Sequence, residues 1–452
     1  MLGRTRYAGA FLLLGHLLDW LAAARDCFAD EHGTLTRGLL TSALAPLVGL
    51  QRIYHLDEME DQGFALLSGG RRCPSRHSVG GWRRHLLWYE VDAFCRRTSP
   101  WELVRGDDAM VSFDDHVIPR WTRKFHIPKG YVTTRNKSMR CEKLFYSYSL
   151  DTDRFLAVRA TPGNWGLRDV AVPMVRQVLE RGRPRTLHAF FDAGAGKADS
   201  DVRALWELAE ENPRLDVTLR ACRYPNRLRA WQQLPSGLFV SQEEAGECVG
   251  APLREVRVAE TETVLGGESE EEGIRTIVCR QMGRGPKGDR WHGLFTTSAG
   301  FPEEVLGMYR GRQAHEQGYR VEVHDLNVDA VACGYDKESE DRQRPRFQRG
   351  VLQMMGWLIG LVYNAVGEFA KGLVGDFGGS HVRTVRRKFL EREGTLYETE
   401  KALIVQMDEF GGQEALVEVI DEFNRKRHRL PWLENREVII SQTPGKQPRS
   451  GP

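Results

Sequence analysis

Between residues 109 and 222 the chain alternates strand-length and helix-length runs in an order that leaves few ways to fold. AMVSF (109–113) is apolar and stops at Asp114, and LFYSYSL (144–150) and RFLAVRATP (154–162) flank the turn Asp151-Thr152-Asp153. A helix is predicted over 168–181. After it come the strand TLHAFF (186–191) ending at Asp192, the helix DSDVRALWELAEE (199–211) and the strand DVTLRAC (216–222). Two antiparallel neighbours followed by strand–helix–strand crossovers predict an α/β architecture around one mixed sheet.

The flanks read differently. Residues 1–105 are expected to form an N-terminal helical domain, with apolar periodic runs at 11–24, 37–50 and 79–95. Inside it RRCPSRHSVGGWRRHL (71–86) carries five arginines and two histidines around a Pro-Ser turn. Ser75 or Ser78 is placed to cap a following helix, so the segment reads either as a DNA-groove helix or as a solvated face joining two core helices. Residues 223–290 break the alternation with short strands and the acidic run GESEEEG (267–273), and are expected to be a β-rich insertion. The core resumes over 291–375 with GLFTTS (293–298) and a helix from Pro302 through Glu316. Residues 376–452 form a C-terminal α+β part with ALIVQM (402–407), a helix over 413–428, EVIIS (437–441) and a polar tail.

Composition narrows the function classes. The chain has 452 residues, 41% hydrophobic and 28% charged, enough for a large core, and 64 basic against 62 acidic residues leave a net charge of +2. A nucleic-acid surface therefore has to come from local segregation of charge. Residues 118–143 supply it: eight Lys or Arg, among them Arg120, Arg123, Lys124, Lys129, Arg135 and Lys137, stand against Glu142, with Trp121 and Tyr131 available to stack on bases. Eight scattered cysteines fit a reducing compartment, and Cys73 with His77 has no second pair to complete a zinc site. The apolar stretches 7–24 and 351–370 are interrupted by His16 and Asp19, and by Gln353, Asn364 and Glu368, so both are expected to be core helices and no membrane partner is expected. GRGPKG (283–288) matches a dinucleotide-binding pattern only formally, since Pro286 and the strand after it call for a hairpin.

Three acids are placed for chemistry. Asp114 and Asp192 each close an apolar strand, with Asp115 the fallback for the first. Glu316 lies in YRGRQAHEQGYR (309–320), where helical spacing puts Tyr309, Arg312, Glu316 and Arg320 on one face. Y-x-x-R-x-x-x-E resembles the segment around the third catalytic acid of DDE transposases of bacterial insertion sequences, the group with an interrupted RNase H-like fold. FFDAGAG resembles that group's second-acid segment and FDDH its first. One departure is Val323, where the group has lysine.

The resemblance spans roughly residues 40–375 and implies an RNase H-like mixed-sheet core interrupted by the β-rich insertion. It implies Asp114, Asp192 and Glu316 as ligands of two Mg²⁺ or Mn²⁺ ions that drive phosphoryl transfer. Tyr309, Arg312 and Arg320 would hold phosphate. The implied partners are double-stranded DNA, both terminal inverted repeats and target, and a second copy of the chain in a synaptic complex, in a bacterial cytoplasm. Two other readings stay open: an inactive DNA-binding descendant of a transposase, and an RNase H-like nuclease without strand transfer.

Overall fold

The computed structural model describes residues 1–30, 33–50, 52–121, 127–244, 254–265, 273–285, 288–312, 318, 325–335, 347–378 and 380–443. The chain opens with a short strand β1 (Gly3–Thr5), a 3-10 turn and helix α1 (Leu14–Arg25), followed by α2 (Leu35–Leu47) and α3 (Gln62–Leu67). The predicted run over 79–95 is two helices, α4 (Arg76–Arg84) and α5 (Trp88–Thr98). The Ser75 hydroxyl caps α4 by accepting from the Ser78 amide, and extended backbone at Leu87 breaks the run.

Five expected strands form between 109 and 222: β2 (Asp108–Pro119), β4 (Lys137–Ser149), β5 (Arg154–Pro162), β6 (Thr186–Phe191) and β7 (Leu215–Arg220). The first does not stop at Asp114 but runs on to Pro119 because β4, longer than expected at its start, pairs with it throughout, and the basic stretch adds an unexpected strand β3 (Lys129–Val132). Helix α6 (Ala171–Gln177) and α7 (Asp199–Glu211) make the crossovers. β4 runs antiparallel to both β2 and β5, whereas β6 is parallel to β2 and β7 parallel to β6. Beyond β7 the sheet continues. After α8 (Pro225–Gln232) come β8 (Val240–Glu244), β9 (Arg254–Val264), β10 (Gly273–Gly285) and β11 (Gly288–Thr296), an antiparallel set joined to the edge of β7 through β11. The segment read as an insertion thus extends the same sheet, which runs β3-β4-β2-β6-β7-β11-β10-β9-β8 with β5 beside β4. Gly285 lies opposite Gly288, so GRGPKG spans a hairpin.

The two sheet faces bury different cores. Val111, Phe113, Ala189, Phe191, Val217 and Leu219 alternate onto one face beneath α6 and α7. On the other, helix α9 (Pro302–Gly311) covers β9 to β11 through Val305 and Leu306. The long helix α10 (Arg349–Lys371) packs on β4 and β5, where Gly356 lets it close on Leu144 and Tyr146. Eighteen-residue windows in Ala8–Arg25 and Arg349–Lys371 are apolar enough to cross a membrane, yet 61% and 89% of them is buried inside the protein.

The boundaries expected at 105 and 376 do not separate two cores. β1 pairs with β12 (Gly394–Glu398), which leads to β13 (Ala402–Met407), helix α11 (Val417–Lys426), β14 (Arg429–Leu430) and β15 (Arg436–Gln442). β13 and β15 are parallel, and α1, α2, α10 and this second sheet share one continuous apolar core.

The union depends on close backbone approach. A Cβ at Gly9 would stand 1.7 Å from the Phe389 carbonyl oxygen, whereas one at Gly81 in α4 meets nothing within 4 Å. Gly9→Ala is expected to cost about 2 kcal/mol or more in chemical denaturation. Gly81→Ala is expected to be neutral or stabilising by up to about 1 kcal/mol, and equal effects would refute this packing.

Candidate active site

Parallel pairing of β2 with β6 sets Phe113 opposite Phe191, and their rings stack with centroids 4.9 Å apart at 14°. Both aromatics point into the core, so the next residues, Asp114 midway along β2 and Asp192 just past the end of β6, emerge side by side on the opposite face. Arg220 ends the neighbouring parallel strand, and its Nη1 lies 3.8 Å from Asp192 Oδ1.

Helix α9 delivers two more groups to the same place. The Tyr309 hydroxyl donates to the Phe191 carbonyl at 3.1 Å, and its ring meets Phe190 edge-on. One turn on, Arg312 Nη1 donates to Asp114 Oδ2 at 3.0 Å, with the guanidinium 5.7 Å from the Tyr309 ring. Asp114, Asp192, Tyr309 and Arg312 therefore lie together. Glu316, Arg320 and Val323 lie outside the described residues, as does the rest of the predicted helix through Glu316. Asp115 points the other way and accepts from Lys143 Nζ at 2.6 Å.

The electrostatics are lopsided. Asp114 is only 21% exposed and Arg312 9%. Burial pushes the Asp114 carboxyl up to about 7, outweighing the nearby Arg312 guanidinium, and the neighbouring Asp115 and Asp192 carboxylates add to the rise. Asp192 Oδ1 is shielded from solvent and accepts no hydrogen bond. Two hard carboxylates side by side, one of them Asp192 with a buried oxygen that accepts no hydrogen bond, fit a divalent cation such as Mg²⁺ or Mn²⁺. Among the described residues no group of three or more His, Cys, Asp or Glu side chains is placed to hold a metal ion, Cys73 and His77 included.

A cluster of arginines that the motif reading missed borders the acids. On β11, His292 is pushed down to about 3, first by burial and then by Arg220, Arg310, Arg290 and Arg223 around it, so it is a neutral imidazole among cations. Arg223 and Arg290 are exposed. The only hint in the sequence was arginine at the end of the strand that follows the second acid.

The basic stretch 118–143 divides. Lys129, Arg135 and Lys137 are exposed, and Arg135 and Lys137 sit 5.6 and 5.9 Å from the ring of Trp121, itself 71% exposed. Arg123 and Lys124 lie outside the described residues. Arg120 has another task. It pairs with the fully buried Glu142 and donates to the Val331 and Ala332 carbonyls at 2.9 and 3.1 Å, which leaves its side chain only 11% exposed and its donors engaged within the protein, not the free DNA contact expected of it. In the N-terminal part Arg76, His77, Arg84 and His85 are exposed along and just beyond α4.

Compared with known proteins, the chain matches no family model and shows no significant similarity to any curated protein.

The raised Asp114 carboxyl fixes a pH dependence. Its proton is held more tightly in the folded than in the unfolded chain, so stability is greatest below about pH 4 for this group and falls as pH rises through about 7. In metal-free protein the melting temperature of the wild type relative to Asp114→Asn is expected to fall between pH 4 and 7.5. Mg²⁺ at pH 7.5 is expected to recover part of the loss in wild type alone. Parallel curves for the two proteins would remove Asp114 as the source.

Proposed function

We propose that the chain is a DNA transposase of the insertion-sequence type, with an RNase H-like core interrupted by a β-rich extension, that cuts and joins DNA by metal-dependent phosphoryl transfer. The observation that carries this reading is the juxtaposition of Asp114 and Asp192 on adjacent parallel strands with Tyr309 and Arg312 closing over them. The chain order supports it as well: four strands in antiparallel pairs, two parallel strands with helical crossovers, then the antiparallel strands that precede α9.

Asp114 and Asp192, with Glu316, would hold Mg²⁺ or Mn²⁺. The bound ions would supply Lewis acidity and an activated water or 3′-hydroxyl for in-line displacement at phosphorus. The protein's own groups act around that chemistry. Arg312, pinned beneath Tyr309, presents a guanidinium at the acid pair, where it can grip an oxygen of the scissile phosphate. Arg220, Arg223, Arg290 and Arg310 form a cationic margin that the neighbouring phosphates would follow. Trp121 with Arg135 and Lys137 makes a second DNA contact by stacking and charge. The α4 segment with Arg76, His77, Arg84 and His85 would grip the terminal repeats. A second copy of the chain would complete a synaptic complex on two DNA ends.

The test uses duplexes carrying the DNA that borders the gene, with Mg²⁺ or Mn²⁺. Wild type is expected to release a 3′-hydroxyl end and to join a pre-nicked end to target duplex. Asp192→Ala is expected to cut at least about 1,000-fold more slowly, with gel-shift affinity within about threefold of wild type. Normal cutting by that variant would overturn the site assignment. Cutting without joining would favour a nuclease, and binding without cutting an inactive descendant.

A further inference from the structure

Away from the acid pair, a cavity of about 60 Å³ lies between α2, α4, the turn at Asn327 and α10. Its apolar wall includes Ile53, Val79, Met355 and Ile359, so a charged group there has to be explained. Arg83 of α4 is that group. Its Nη2 donates to the Ser42 hydroxyl at 3.3 Å, a long bond, while its Nε is shielded from solvent and has no acceptor. No carboxylate lies within ion-pair range of it among the described residues. The Thr41 hydroxyl on the same wall is also buried and unpartnered. Arg52, exposed, stands at the mouth.

Burial alone pushes the Arg83 guanidinium down to about 10, with no neighbouring charge to offset it. A half-buried cation with a shielded, unpaired donor and no counter-charge is costly to hold, and a counter-charge arriving from outside would relieve that cost. Water is an incomplete answer. The volume would take about four to six molecules at roughly 10–15 Å³ each, but none carries a counter-charge for the guanidinium.

We propose that this cavity is an oxyanion site, built for a phosphate group held by the Nε and Nη edge of Arg83 and by the Thr41 and Ser42 hydroxyls. A guanidinium edge offers two parallel donors, and the hydroxyls add donors from a second direction, which suits an ion with several acceptor oxygens better than a spherical halide. The phosphate comes from one of two sources, free in solution or in a nucleic-acid backbone passing the mouth at Arg52. The site does not depend on the transposase reading, since none of its residues belongs to the acid pair.

The experiment is thermal melting of the full chain in sodium phosphate against sodium chloride at matched ionic strength, followed by calorimetric titration with inorganic phosphate. Wild type is expected to show a saturable rise of about 2 °C or more. Arg83→Met is expected to lose the rise and to melt no lower than wild type in chloride, because an uncompensated charge has gone. Thr41→Val, which keeps the shape of the side chain, is expected to fold normally and to bind phosphate at least tenfold more weakly, and it decides the matter if the methionine variant does not fold. No saturable response in wild type, or the same response in the variants, overturns the proposal. A second arm titrates a 20-base-pair duplex in chloride. Weaker DNA binding by Thr41→Val and Arg83→Met assigns the phosphate to the backbone, and unchanged DNA binding assigns it to the free ion. Failure of metal-dependent cutting would leave these outcomes untouched.

Discussion

The register between β2 and β6 is the constraint on which the candidate chemistry depends. Side chains alternate across a strand, so stacking Phe113 on Phe191 in the core fixes both the level and the face at which Asp114 and Asp192 appear. A slip of one residue would bury a carboxylate beneath α6 and α7 and expose a phenyl ring. The apolar face therefore does more than stabilise the sheet: it pays in advance for holding two like charges together, a juxtaposition that would otherwise spring apart. Tyr309 reinforces the arrangement from above by taking the Phe191 carbonyl, the last acceptor before Asp192.

Charge balance around the pair gives the arrangement its chemical bias. Arg312 offsets Asp114, and Arg220 stands too far from Asp192 for a hydrogen bond, so Asp192 keeps a buried oxygen without a donor while arginines gather around His292 nearby. On the proposed reading a dication at the centre and a polyanion along the margin would answer both imbalances. His292 sharpens the contrast: an imidazole kept neutral by burial and by four arginines adds bulk and no charge. Arg120 and Glu142 show the opposite use of charge. Their pairing is sealed by the Val331 and Ala332 carbonyls and the Gly334 amide, which ties residues 331–334 to the first strands of the sheet.

Much of this was legible in residue order because local period and local burial agree there. RFLAVRATP, TLHAFF, DSDVRALWELAEE and ALIVQM have the predicted ends, since each alternates or repeats cleanly between turn formers. The acid pair and its Tyr-Arg companions stood out because each aspartate follows a run of apolar and aromatic residues and the tyrosine and arginine share one helix face; that β2 continues past Asp114 to Pro119 was not legible, since the polar residues there pair with a distant strand. Long-range pairing was not. β1 is three residues long and carries no period, so nothing local announces that it joins a sheet almost four hundred residues away. Arg120 misled for a related reason: a basic stretch records charge, while the fate of each arginine depends on whether a buried acid such as Glu142 waits for it.

Helix α10 shows how polar residues inside an apolar run encode a destination. By length and apolar character it would pass for a membrane span, yet polar groups on its packed side have specific protein partners. Gln353 contacts Cys95, the Trp357 indole donates to the Thr98 hydroxyl at 2.7 Å, and Asn364 both accepts from the Phe155 amide and donates to the Phe155 carbonyl at 2.9 Å. In hydrocarbon these groups would be unsatisfied, whereas against α5 and β5 they are paired. Asn364 also occupies backbone groups on β5, which would otherwise offer an open edge to another chain. The same side chains that argue against a lipid setting therefore select the surface that covers the helix, and through β4 and β5 that surface is continuous with the strand bearing Asp114.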